Sequence, residues 1–161
     1  MKPAEPQPEH HWLQKLVGEW AYEHECVMGP DQPPMKATGS ESVRTIGELW
    51  VQGEGRGEMP DGSPMTSVIT LGYDPEKKRF VGTWIGSPMT HLWVYDGELD
   101  AARQKLSLFA EGPDFSGGPK LTKYCDAVEF VSDDHRTLTS SLLGDDGKWT
   151  QFMTADYRRK K

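Results

Sequence analysis

Residues 49–97 read LWVQGEGRGEMPDGSPMTSVITLGYDPEKKRFVGTWIGSPMTHLWVYDG. Short runs rich in aromatic and β-branched residues are cut here by Pro60-Asp61-Gly62, Asp74-Pro75-Glu76-Lys77, Gly86-Ser87-Pro88 and Asp96-Gly97. Each cut is turn chemistry, in which Gly, Pro and Asp favour reversal of the chain. The runs have strand length and no helical period, so they predict strands over Leu49–Met59, Thr66–Tyr73, Arg79–Ile85 and Met89–Tyr95. The connections are shorter than the dozen or so residues of a parallel crossover, and neighbours should therefore pair antiparallel.

The pattern continues on both sides. Further strands are expected over Glu19–Val27, Lys36–Ile46, Lys105–Glu111, Lys120–Val131, Thr137–Leu143 and Lys148–Arg158. Their breakers are Gly29–Pro34, Gly47, the Gly112–Pro119 loop, Asp133-Asp134 and Gly144-Asp145-Asp146-Gly147. An open meander of this length would expose two edges, whereas closure into a barrel removes them. Ahead of the strands, Trp12, Leu13 and Leu16 fall on one helical face after Pro8, and Gly18 ends the run. The expected architecture is all-β: a single antiparallel up-and-down β-barrel of about ten strands, one end closed by a short N-terminal helix. Residues 1–8, with three prolines, read as a flexible arm, and residues 9–161 as one barrel domain.

Composition narrows the partners. Six Trp, five Tyr and seven Met indicate a ring-rich interior, and the net charge of −7 opposes binding to nucleic acid or to an anionic membrane. No run reaches the roughly 18–20 apolar residues of a membrane helix, and the first eight residues lack the apolar centre of a signal peptide. A cytoplasmic protein is expected, with a small molecule or a second copy of the chain as partner. Cys26 and Cys125 lack zinc-ligand spacing and read as reduced packing residues. No metal or cofactor is expected, and no Gly-x-Ser-x-Gly elbow is present.

Alternation suggests which side chains share a face. In Leu49–Met59, Trp50, Gln52, Glu54, Arg56 and Glu58 lie opposite Gly53, Gly55 and Gly57. Turned inward, the charged face would be a paired cluster in a cavity; turned outward, it is a solvated surface. Glycine at every second position marks a strand that bends or admits a close neighbour. His91, Trp93 and Tyr95 share a face, as do Tyr124 and Asp126, and Met153 stands with Trp149, Gln151, Ala155 and Tyr157. Candidate ligand-binding residues are thus Trp50, Glu54, Glu58, His91, Trp93, Tyr95, Tyr124, Asp126 and Met153. Contact of His91 with Asp126 or Glu58 would make an acid–base pair, because a carboxylate orients an imidazole and raises its basicity.

Two resemblances bear on the fold. The helix followed by Gly18-Glu19-Trp20, with Arg158-Arg159 on the last strand, resembles the Gly-x-Trp arrangement of lipocalins and other calycin-type barrels. It implies that Gly18, Trp20 and Arg158 close the barrel base. The stretches His11–Trp20, Leu71–Pro75, Phe80–Ser87, Leu92–Gly97 and Asp134–Thr137 resemble the bacterial family of domains of unknown function 1579. That likeness implies a calycin-like barrel and brings no established activity. Some calycin-like barrels bind haem through a late histidine, but Lys148–Arg158 contains none. The expected function is binding of a small, mostly apolar ligand in the barrel. The alternatives are an enzyme using the cavity His/carboxylate pair, or a filled barrel acting through its surface.

Overall fold

The computed structural model describes every residue except Met28 and Pro30. Helix α1 (Pro8–Leu13) leads through a 3-10 turn at Gln14–Leu16 into ten strands. These are β1 (Gly18–Cys26), β2 (Met35–Ile46), β3 (Trp50–Glu58), β4 (Pro64–Asp74), β5 (Arg79–Gly86), β6 (Trp93–Leu99), β7 (Lys105–Pro113), β8 (Leu121–Ser132), β9 (His135–Leu143) and β10 (Trp149–Arg159). Consecutive strands pair antiparallel, and β1 also pairs with β10, so the expected meander closes into a barrel. The turn read at Gly29–Pro34 includes Pro30 and lies partly outside the described residues.

One end of the barrel is plugged. α1 starts at Pro8, the last residue of the segment read as an arm, where a fixed φ suits the first helical turn. The Gln7 N–H donates to His10 Nδ1 at 2.8 Å, which leaves the proton on Nε2 to donate to the Tyr73 carbonyl at 3.0 Å. That bond ties the helix to β4. Trp12, Leu13 and Leu16 are buried with Trp20, Phe80, Leu106, Leu108 and Phe130. Trp12 meets Phe80 and Phe130 edge-on and donates its indole N–H to the Arg103 carbonyl at 2.8 Å.

Trp20 is fully buried, and its N–H donates to the Leu16 carbonyl at 2.9 Å. The arginine across it is Arg159 rather than Arg158. Arg159 pairs with Trp20 across the β1–β10 ladder, and its guanidinium carbon lies 4.2 Å from the ring centroid. It also donates to the carbonyls of Val17, Lys15 and Asp133 at 2.7–3.1 Å. Arg158, opposite Ala21, is exposed. The correction follows from strand parity, since Ala155 and Tyr157 point inward and so does the residue two further on. Gly18 is required at its position: φ is +135°, and a Cβ there would sit 2.4 Å from an Arg159 guanidinium nitrogen.

Candidate ligand cavity

Beyond the plug, the lumen holds a cavity of about 590 Å³ that opens at the other end of the barrel. Its floor includes Leu16, Val43, Val51, Leu71, Leu108 and Val128, and its mouth is formed by Met89, Thr90, His91, Asp114 and Phe115. The space exists because β3 turns its glycines inward. A Cβ on Gly55 would lie 2.6 Å from the Ser67 hydroxyl, and one on Gly53 3.2 Å from the Glu41 carboxyl. Gly39 and Gly57 leave the room taken by the Tyr22 hydroxyl. The absent side chains are thus replaced partly by polar groups of neighbouring strands and partly by empty volume.

The same parity sends the charged face of β3 outward, which corrects three of the candidate positions. Trp50 is exposed and covers Gly72 on the barrel's outer surface, where a Cβ would meet the indole at 2.4 Å. Glu54 is exposed and pairs with Arg56 at 2.6 Å, and Glu58 is exposed on the same face. An outward charged face costs nothing in desolvation, whereas an inward one would have to repay it.

The six other candidates line the cavity: His91, Trp93, Tyr95, Tyr124, Asp126 and Met153. Their rings are arranged edge to face. His91 lies 4.8 Å from Trp93, and Trp93 lies 5.0 Å from Tyr124 over the bare backbone of Gly112. Tyr124 is fixed by its hydroxyl, which donates to the Pro113 carbonyl at 2.6 Å. A bulge between Gln151 and Met153 interrupts the alternation of β10. Phe152 and Met153 therefore both reach the cavity, while Trp149 and Gln151 are exposed.

The His91 acid–base pair of the alternative enzyme reading does not form. His91 Nε2 lies 2.9 Å from the Glu111 carbonyl, and Glu58 is on the opposite side of the wall. Asp126 is held instead by two hydroxyls, Tyr95 donating to Oδ2 at 2.5 Å and Ser140 to Oδ1 at 2.6 Å. Burial pushes the Asp126 carboxyl above its ordinary range, against the pull of the Ser140 and Tyr95 bonds. Tyr95 is raised well above the usual phenol value by burial and by the Asp126 charge. Burial lowers His24, which favours its neutral form.

A second polar group escaped the sequence reading. Arg136 and Glu41 form a buried ion pair at 2.5 Å, and both line the cavity. The Arg136 guanidinium carbon also lies 4.1 Å from the Tyr157 ring centroid and 4.6 Å from that of Trp20. Among the described residues, the buried side-chain nitrogens without a partner are Gln14 Nε2, Trp93 Nε1 and Arg136 Nε, and the last two belong to the cavity wall. Inward alternation of Arg136, Leu138 and Ser140 on β9 was the available signal for Arg136. No group of three or more His, Cys, Asp and Glu among the described residues is placed to hold a metal ion.

Fold and site define a closed ten-stranded barrel with an aromatic-walled internal cavity. The chain belongs to the DUF1579 family, described as proteins of unknown function, whose model matches residues 5–159. No curated protein matches it. Among solved structures it is similar to Rv2717c from M. tuberculosis, at 12% identity over 98% of this chain and 100% of that one, with a TM-score of 0.62. It is also similar to the S-type phycobiliprotein lyase CPES from Guillardia theta, at 13% identity over 97% and 99% of the chains, TM-score 0.59. A third similar structure is EF1p2_mFAP2b bound to DFHBI, at 13% identity over 94% and 98%, TM-score 0.51. At these identities the likeness is one of fold. No helix among the described residues is long and apolar enough to cross a membrane.

Proposed function

We propose that this protein binds a small, mostly apolar molecule inside the barrel. The observation that carries the reading is the cavity of about 590 Å³, whose lining surface is mostly apolar, with Trp84, Trp93, Ile69, Met153 and Phe152 in the wall and polar groups such as Asp126 and the Glu41–Arg136 pair set among them. Small-molecule pockets span about 300–1,000 Å³ and combine apolar walls with a few directed polar groups. Burial of ligand apolar area, at roughly 25 cal/mol per Å² before the costs of association, would supply most of the affinity. A filled barrel working only through its surface would leave no such volume. The fold is similar to that of EF1p2_mFAP2b, whose structure is bound to DFHBI, which supports the capacity of this architecture for a small-molecule ligand.

The test is native mass spectrometry of the protein purified from its own host, before and after denaturation. A released molecule of defined mass supports the reading and gives the ligand's mass. Bare chain mass, together with no uptake of naphthalene-based probes, overturns it.

A further inference from the structure

The charges inside the cavity do not balance, and the imbalance selects a ligand class. Arg136 and Glu41 neutralise each other at 2.5 Å. Asp126 is the other carboxylate of the inner wall, and no cationic side chain among the described residues comes within ion-pair distance of it. Its strand places it inward between Tyr124 and Val128, and part of its surface remains accessible to the cavity. Asp114 adds a further acid at the mouth.

The partners of Asp126 are arranged for its ionised form. A hydroxyl donates to each oxygen, the pattern that suits a carboxylate, whose two oxygens both accept strongly, better than a protonated carboxyl, whose O–H oxygen is a weak acceptor. Two neutral donors stabilise a buried carboxylate but do not neutralise it. Aromatic rings line the same space, Trp84, Trp93 and Tyr95 among them, and the face of such a ring attracts a cation. A fatty acid or other anionic amphiphile would meet an arginine whose charge Glu41 already balances, with only its Nε–H left over, and an unpaired carboxylate.

Building on the ligand-binding reading above, we propose that the cavity takes a protonated amine carried on an apolar, ring-sized body, with Asp126 as its counter-ion. The body fills the volume between the aromatic walls. The ammonium donates to the free lone pairs of the Asp126 carboxylate, which keeps its bonds from Tyr95 and Ser140. Elevation of the Asp126 carboxyl by burial has the corresponding meaning: the empty cavity strains the charged form, and a cation relieves it.

Three probes with one ring system test this: 1-naphthylmethylamine, 1-naphthalenemethanol and 1-naphthoate, each titrated calorimetrically into the full chain at neutral pH. The amine is expected to bind about tenfold or more tighter than the alcohol, because a hydrogen bond between charged groups exceeds a neutral one by that order. The carboxylate should bind weakest. In Asp126→Asn the amine should fall to the level of the alcohol measured in the same variant. Equal affinity of amine and alcohol in the wild-type protein overturns the counter-ion assignment and leaves the cavity reading standing. So does a tightest-binding carboxylate, or an amine preference that survives in Asp126→Asn. Failure of all three probes to bind overturns both readings. The wild-type comparison needs no variant to fold.

Discussion

The two ends of this barrel are built from the same ten strands and differ in how completely their polar groups are used. At the plugged end, Trp20 is fully buried, its N–H is bonded, and Arg159 spends its donors on three backbone carbonyls, which leaves Gln14 Nε2 as the one buried side-chain nitrogen without a partner among the described residues there. In the cavity end, among the described residues, Asp126 has no cation within ion-pair distance, and Trp93 Nε1 and Arg136 Nε have no acceptor. Buried polar groups in folded proteins are normally matched, so departures from matching concentrate where something else is to be accommodated. The difference assigns stability to one end and occupancy to the other.

The largest effect that would break this division is expected at Trp20. Trp20→Ala should cost about 3–5 kcal/mol, read from the midpoint of urea unfolding, because it opens a void at the junction of helix and barrel. A cost below about 1 kcal/mol would mean that the plugged end is not what holds the barrel together. Next comes the arginine pair. Arg159→Ala should lose about 1–3 kcal/mol, through the lost packing on Trp20 and the partly buried Val17 and Lys15 carbonyls left without that donor, whereas Arg158→Ala should stay within about 0.5 kcal/mol. Equal costs at the two positions would contradict the inward parity of Arg159.

The cavity end should answer differently. Trp93→Ala is expected to weaken binding of a naphthalene probe by up to about tenfold, through loss of an aromatic wall contact. Its unfolding midpoint should move less than that of Trp20→Ala, since Trp93 faces an existing cavity rather than a packed junction. Unchanged probe affinity with collapsed stability would make Trp93 a core residue and shift the division between the ends.

Much of this was legible in the chain. Turn clusters between short ring-rich runs were enough for a closed meander, because each connection is shorter than a parallel crossover, although Asp96-Gly97, read as a turn, lies within β6. Alternation also put His91, Trp93 and Tyr95 together, and Tyr124 with Asp126, and all five line the cavity. It left the orientation of β3 open, since period two relates positions to one another without stating which face is inside. Trp50, Glu54 and Glu58 were lost to that ambiguity, although the glycines opposite them carried the answer. Alternation with Ala155 and Tyr157 points to Arg159, one residue beyond the expected Arg158, as the partner of Trp20. The Arg136–Glu41 pair was out of reach for a different reason. Its members lie 95 positions apart on β9 and β2, and their meeting across the lumen depends on the tilt and stagger of the closed sheet.

The smallest expected effect is also the most specific to the unmatched carboxylate. The Asp126 carboxyl is raised above 3.8 by burial in the folded state, so between that value and its folded one the native protein holds a proton that the unfolded chain has released. Its contribution to stability is therefore fully present below about pH 4 and is lost as pH rises through the folded value. Tyr95 and Tyr157, the ionisable rings that face it from β6 and β10, are both pushed upward and do not titrate in that window. Comparing urea midpoints of the wild-type protein and Asp126→Asn from pH 4 upward removes the slopes that the two share. The wild-type protein should lose ground against the variant as pH rises, then run parallel to it. A difference that is flat over the whole range would mean that the carboxylate is already compensated in the empty barrel. The plugged and open ends would then be equally well matched.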